Sequence, residues 1–171
     1  GAAGMMAAGT AAKRGKKVLI LEKNRRLGEK LRITGGGRCN VTNAEYDLRA
    51  LLAHYGSAAD CLYSPFSQFG VQSTFDFFQA HKLPLVIQAR KRAFPNTEKA
   101  SDVTRVMEKF VKETGVLVKE SCPVIKVHSV NGAISGLETN QGIFHAKAYI
   151  FATGGVSHPE TGSTGDGFDW L

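Results

Sequence analysis

The chain has 171 residues, 43% hydrophobic and 22% charged, with 22 Lys and Arg against 15 Asp and Glu for a net charge of +7. That length suits one domain with a real core, and that mixture is the composition of a soluble globular protein rather than a disordered chain. No apolar run approaches the length of a membrane helix and no charged start precedes an apolar stretch, so neither a membrane span nor a secretory signal is expected.

The chain opens Gly1-Ala2-Ala3-Gly4, which reads as the second half of a G-x-G-x-x-G dinucleotide loop. Ala7, Ala8, Ala11 and Ala12 predict a small-residue helix that can lie close to a sheet. Gly15 is a good stop for that helix. The basic turn Lys16-Lys17 leads into a short apolar strand, Val18–Leu21, with Glu22 at its end. In the fingerprint an acidic residue about twenty residues past the glycines accepts hydrogen bonds from a ribose hydroxyl. The fingerprint also needs a strand ahead of the loop. This sequence starts inside the loop and without an initiator Met, so the first strand is expected to be missing from the chain as given.

After a polar loop, Lys23-Asn24-Arg25-Arg26, residues Leu27–Ile33 predict a short helix that ends at Thr34-Gly35-Gly36-Gly37-Arg38-Cys39-Asn40. Three consecutive glycines cannot pack, so they are expected to let the backbone approach a ligand or adopt positive φ. Asp47–Tyr55 reads as a helix with Asp47 as its N-cap. Phe66, Phe69, Phe75, Phe77 and Phe78 predict an aromatic helical segment to about His81, with core packing the favoured role and a ligand wall the minority one. Leu85–Gln88 is expected to be a strand and Arg90–Pro95 a second strand or a bend. A further helix begins at Ser101-Asp102, with Val103, Val106, Met107, Phe110 and Val111 at helical spacing, and stops at Gly115.

Val116–Lys119 predicts a strand. Val124–Val130, Ala133–Thr139 and Ile143–Ala152 then predict a three-strand antiparallel meander, with Asn131-Gly132 as a strong hairpin signal. The end of the last run, Ala148–Ala152, is almost wholly apolar, as a strand buried on both faces should be. It opens onto Thr153-Gly154-Gly155, at the strand end where ligands collect in such sheets. A second backbone-rich loop follows, Thr161-Gly162-Ser163-Thr164-Gly165-Asp166-Gly167.

The early basic residues Lys13, Arg14, Lys16, Lys17, Lys23, Arg25, Arg26, Lys30, Arg32 and Arg38 could attract phosphates. No aromatic residues interleave with them, which argues against single-strand binding. A solvated basic face is the expected role for most. Cys39, Cys61 and Cys122 form no C-x-x-C pair, which leaves zinc and thioredoxin-type chemistry without support. An odd cysteine count without a secretory signal points to a reducing cytoplasm.

The order of these elements resembles that of flavoproteins of the glutathione-reductase-like superfamily. Within it, Ile33-Thr34-Gly35-Gly36-Gly37-Arg38-Cys39-Asn40-Val41-Thr42-Asn43 is similar to the signature of the BaiN-like (YhiN-type) family. Arg92-Ala93-Phe94-Pro95, Lys99–Val103 and Thr153–Gly167 agree with it, so the resemblance covers the whole chain. It implies a Rossmann-like α/β fold that binds FAD, with a parallel sheet and an antiparallel meander, lacking its first strand. It also implies that residues 1–171 are a partial FAD-binding domain, because members of the family are more than about twice this long and add a second domain and a C-terminal return.

By the same resemblance, Gly1 and Gly4 set helix N–H groups on the FAD pyrophosphate, and Glu22 holds the adenosine ribose. Thr34, Gly35, Gly36 and Gly37 approach the pyrophosphate or the flavin. Arg38 and Asn40 add donors or serve structure. Val124 takes a position that contacts adenine through its backbone. Thr153, Gly154 and Gly155 cover the other side of the dinucleotide, and Gly165 and Asp166 lie in a loop that approaches FAD. Cys39 reads as a packing residue and His158 as a loop histidine, so no catalytic acid or base is assigned. The expected function is hydride transfer from NAD(P)H through FAD to an unsaturated small-molecule substrate, with no nucleic-acid or membrane partner. The alternative is a non-catalytic nucleotide- or nucleic-acid-binding module using the basic N-terminal half. Without its first strand the chain alone is expected to be marginally stable and to bind FAD poorly.

Overall fold

The computed structural model describes residues Gly1–Trp170. In chain order the elements are α1 (Ala2–Lys13), β1 (Leu19–Leu21), α2 (Glu29–Ile33), β2 (Thr42–Asn43), α3 (Leu48–Ala53), α4 (Ala59–Gln68), α5 (Val71–Ala80), β3 (Leu85–Gln88), β4 (Arg92–Pro95), α6 (Ala100–Glu113), β5 (Leu117–Lys119), β6 (Val124–Val130), β7 (Ala133–Thr139), β8 (Gly142–Phe144) and α7 (Asp166–Trp170). The chain divides into two compact units, residues 1–31 with 107–171 and residues 32–106.

The first unit is built on two matching helix-to-strand passages. α1 turns into β1 at Gly15 (φ 75°), and α6 turns into β5 at Gly115 (φ 76°). Both glycines take the left-handed conformation that ends a helix at little steric cost. The strands then pair in parallel, Leu19 opposite Leu117 through Leu21 opposite Lys119. α1 carries few large side chains, and its buried residues are Met5, Ala8 and Gly9. A methyl group on Gly9 would sit 2.2 Å from the ring of Phe110, so the absence of a side chain there is what admits α6. On α6, Val103, Met107, Phe110 and Val111 are buried, as the helical spacing predicts. Thr104, which no apolar pattern marks, is also wholly buried, and its hydroxyl donates to the Ala100 carbonyl at 2.9 Å.

The meander forms as β6-β7-β8, all antiparallel. Asn131 (φ 52°) and Gly132 (φ 76°) both lie in the left-handed region, the signature of the hairpin turn expected there. The last strand differs from expectation. It stops at Phe144, and Ala148–Ala152 joins no ladder among the described residues. Apolarity alone does not make a strand; a neighbouring backbone must pair with it. β1 is paired with β5 on one edge, and no described strand takes its other edge. Nor is the run buried on both faces, since Ile150 is 71% exposed.

The second unit holds a sheet that the sequence reading did not anticipate as a whole, β2-β4-β3, antiparallel throughout. Arg90–Pro95 resolves into a tight turn and β4, with Arg90 (φ 62°) and Lys91 (φ 56°) left-handed. α3 begins where predicted, with the Asp47 carboxylate accepting from the Ala50 N–H at 2.7 Å. The aromatic segment is two helices, α4 and α5, not one. The break falls at Gly70, where a methyl group would sit 2.7 Å from the Phe66 carbonyl oxygen. Of its five phenylalanines only Phe78 is buried; Phe69 is exposed, while Phe66 and Phe75 make ring contacts with Tyr55 and Tyr46. The core expectation for that cluster is thus corrected to one residue. The buried centre of this unit is Phe94 with Leu51, Leu52, Val71, Phe78 and Ala93.

Thr34–Gly37 forms a tight turn, in which Gly35 (φ 56°), Gly36 (φ 64°) and Gly37 (φ 82°) take the positive φ expected of them. The Cys39 N–H closes it by donating to the Thr34 carbonyl at 2.9 Å.

Candidate functional site

In the first unit the residues singled out from the sequence close into a ring. α1 begins right after Gly1, and Met5 is the first residue whose N–H bonds back along the chain, to the Gly1 carbonyl at 3.0 Å. The N–H groups of Ala2, Ala3 and Gly4 therefore lie ahead of the helix ladder, at the positive end of its dipole, with no acidic side chain in the first turn. The Gly1 nitrogen is 3.6 Å from the Glu22 carboxylate. Glu22 is buried at the end of β1 and fixed on several sides. Its N–H donates to Lys119 O (2.9 Å), its carbonyl accepts from Cys122 N–H (2.9 Å), and its carboxylate accepts from the Asn24 N–H (3.0 Å). Cys122 stands two residues before Val124, so the start of β6 joins the same corner.

From Glu22 the ring continues through its neighbour. Lys23 Nζ lies 2.8 Å from the Asp166 carboxylate and 2.6 Å from Thr164 Oγ1. Next to Asp166, Gly167 faces Thr153; a methyl group on Gly167 would sit 2.6 Å from Thr153 Oγ1. Gly154 (φ 77°) lies against Ser163, where a methyl group would sit 3.3 Å from its Oγ, and Gly155 has open space at its α-carbon. A methyl group on Gly4 would sit 3.4 Å from the Cβ of Ala152, beside Thr153, which returns to α1. An open cavity of about 350 Å³, lined by Phe151, Ala152, Thr153, Gly154, Gly167 and Phe168, lies on this ring.

Gly165 (φ 86°) and the carboxylate of Asp166 complete the second loop. Hydrogen bonds from Lys23 and then from Thr164 hold the Asp166 carboxyl below its ordinary pKa, so it stays ionised.

The remaining predicted residues cluster separately, in the second unit. A methyl group on Gly35 would sit 2.7 Å from the Asn40 backbone nitrogen, whereas Gly36 and Gly37 have open space at theirs. The Arg38 guanidinium lies 4.5 Å from the Phe94 ring and donates to Gln88 and Glu98, each at 3.4 Å. The Asn40 amide reaches the carbonyls of Thr42 (3.1 Å) and Ala93 (3.3 Å). The donors of Arg38 and Asn40 thus have partners within their own unit. Cys39 is buried and left-handed (φ 60°); burial raises its thiol pKa and a hydrogen bond with Thr34 opposes this. A buried neutral thiol is a poor nucleophile, in line with a packing role. His158 is exposed beside Glu160, 2.9 Å from its carboxylate.

Sequence reasoning missed Gly9, Lys23 and Asn24. Gly9 was findable, because a glycine inside a helix costs about 1 kcal/mol and so suggests a close contact. Lys23 and Lys30 read as solvated cations, but both bind the C-terminal loop. Asn24 Nδ2 donates to Thr161 O at 2.8 Å, and Lys30 Nζ to Ser157 Oγ at 2.7 Å. Among the described residues no group of three or more His, Cys, Asp or Glu side chains could hold a metal ion.

Residues 1–171 match the HI0933-like protein Rossmann domain over their whole length. The chain belongs to that family. It is 28% identical over 173 residues to a 3-dehydro-bile acid delta(4,6)-reductase of Clostridium scindens, covering 98% of this chain and 40% of that protein. It is 24% identical over 168 residues to a ribosomal RNA dihydrouridine synthase of Escherichia coli, covering 98% and 41%. The chain therefore spans about two fifths of the length of these curated relatives. Its fold is similar to that of an L-proline dehydrogenase from P. horikoshii, with a TM-score of 0.52 at 16% identity over 91% of this chain and 51% of that one. The Rossmann-like α/β fold and the flavoprotein-oxidoreductase resemblance read from the sequence are thereby borne out at the level of the family. No helix among the described residues is long and apolar enough to cross a membrane.

Proposed function

We propose that this chain is the dinucleotide-binding portion of an FAD-dependent reductase that takes hydride from NAD(P)H and delivers it to an unsaturated organic substrate. The ring from Gly1 and Glu22 through Asp166 and Thr153 to Gly4 carries this reading, because it joins an anion site to a carboxylate. The residues present fit the cofactor. The free N–H groups at the start of α1 suit a pyrophosphate, and the buried Glu22 suits a ribose diol. Glu22 is held in place by Asn24 and by the strand backbone, so little ordering remains for binding. Gly4 brings the helix close, and Thr153, Gly154 and Gly155 offer backbone on the far side. Val124 is proposed to add a backbone contact.

Bound FAD supplies the two-electron chemistry, and the protein supplies orientation and electrostatics. One relative is named a reductase and the other a dihydrouridine synthase, which supports a reduction rather than an oxidation as the productive direction. A small-molecule substrate is proposed. The unpaired thiols of Cys39, Cys61 and Cys122 suit a reducing cytoplasm. The test is to purify the protein from its complete reading frame, identify the bound chromophore, and add NADH or NADPH without oxygen. Bleaching of the flavin band, reversed by an unsaturated acceptor, is expected.

One observation favours the alternative of a nucleic-acid-binding module. Lys13, Arg14, Lys16 and Lys17 are exposed on one turn, and of these only Lys13 has a described partner, the Phe110 ring. A steeply salt-dependent affinity for RNA or DNA, with none for FAD, would establish it.

A further inference from the structure

Asp166 sits in the loop proposed to approach the cofactor, yet both of its carboxylate oxygens are already engaged within the chain. Oδ2 accepts from Lys23 Nζ at 2.8 Å, and Oδ1 accepts from Thr164 Oγ1 at 2.5 Å. Lys23 also donates to Thr164 at 2.6 Å, which closes a three-membered network. The same stretch after β1 holds the loop twice more. Asn24 donates to Thr161 O at 2.8 Å, with Gly162 (φ 95°) against its amide, and Lys30 lies 3.3 Å from Ser163 Oγ. Lys23 and Asn24 directly follow Glu22, the proposed ribose acceptor. The segment that begins at the proposed cofactor carboxylate is thus also the seat of the Thr161–Gly167 loop.

We infer that Asp166 is a positioning residue rather than a cofactor ligand: its ion pair with Lys23 latches the Thr161–Gly167 loop to the Glu22 corner, and the loop meets the cofactor through backbone alone. This rests on the flavin reading for its affinity readout and not for the latch itself. Fixing the loop holds Gly167 against Thr153 and so sets the width of the cavity between them.

The experiment uses the whole protein and the variants Lys23→Met, Asp166→Asn, the two combined, and the charge exchange Lys23→Asp with Asp166→Lys. Amide hydrogen exchange over residues 161–167 is read without cofactor, and the FAD dissociation constant is read by titration. Each single variant is expected to speed exchange in the loop and to weaken FAD binding by about tenfold, with the double variant no worse than either single one. The charge exchange is expected to restore both readouts in large part. A ligand role for Asp166 is shown instead, and the inference overturned, if Asp166→Asn weakens FAD binding while Lys23→Met does not, or if their effects add. Unchanged exchange in Lys23→Met overturns the latch. If the parent protein takes up no FAD, the flavin reading fails, and the exchange measurement still decides the latch.

Discussion

Two glycine-rich stretches looked alike in the sequence and prove to use glycine for different reasons. In Thr34–Gly37 the glycines serve backbone conformation. Gly35, Gly36 and Gly37 are all left-handed, and the turn is closed by its own Arg38 and Cys39 amides. In Thr153–Gly167 the glycines serve close approach as well. Gly167 has no left-handed φ, yet a side chain there would strike Thr153. Composition cannot separate a turn from a cradle. What separates them is the tightest neighbour an added methyl group would meet: the local Asn40 nitrogen at 2.7 Å for Gly35, and the distant Thr153 Oγ1 at 2.6 Å for Gly167.

Substitutions can break that distinction. Gly35→Ala combines a left-handed φ with a methyl group 2.7 Å from the Asn40 nitrogen, so it is expected to destabilise the protein by about 2–4 kcal/mol in denaturant unfolding. Gly167→Ala meets, among the described residues, Thr153 alone, with Oγ1 at 2.6 Å, and is expected to cost about 1–3 kcal/mol, with much of it recovered by adding Thr153→Ala. Gly36→Ala has open space and carries the left-handed strain alone, about 1–2 kcal/mol. Equal effects for Gly35→Ala and Gly36→Ala would show that crowding plays no part in the turn. Failure of Thr153→Ala to rescue Gly167→Ala would remove the cradle.

The smallest effect concerns pH. The Asp166 carboxyl has a lowered pKa in the folded protein, chiefly through Lys23 and Thr164. Its contribution is therefore complete above the ordinary aspartate value of 3.8 and is lost only as pH falls through the lower folded value. Exchange protection of residues 161–167 is expected to hold across neutral and mildly acidic pH and to fall below that value. Protection already lost near neutrality would point to another group.

Much of the fold was legible because its signals are local. Asn131-Gly132 names its own turn type, Asp47 caps α3 from one residue away, and the spacing of Val103, Met107, Phe110 and Val111 is a helical face. Glu22 and the Gly1–Gly4 loop were legible through the fixed spacing of the fingerprint. The illegible parts depend on partners far along the chain. Ala148–Ala152 has the composition of a buried strand, but pairing needs a neighbour that composition does not supply. Lys23 and Lys30 look like any exposed cation until the loop more than a hundred residues away lies against them. The two helices divide at Phe69–Gly70, where the backbone leaves the helical region (Phe69 φ −141°, ψ 82°; Gly70 φ −98°, ψ −157°), which a run of aromatic residues conceals.

The central claim is that the ring of Gly1, Gly4, Glu22, Thr153 and Asp166 serves a flavin dinucleotide. The direct measurement is the chromophore of the protein purified from its complete reading frame, released by denaturation and quantified. The account predicts FAD near one equivalent per chain, sharply reduced by Glu22→Ala. A colourless protein that does not take up added FAD, or one whose FAD content is unchanged by Glu22→Ala, would contradict it.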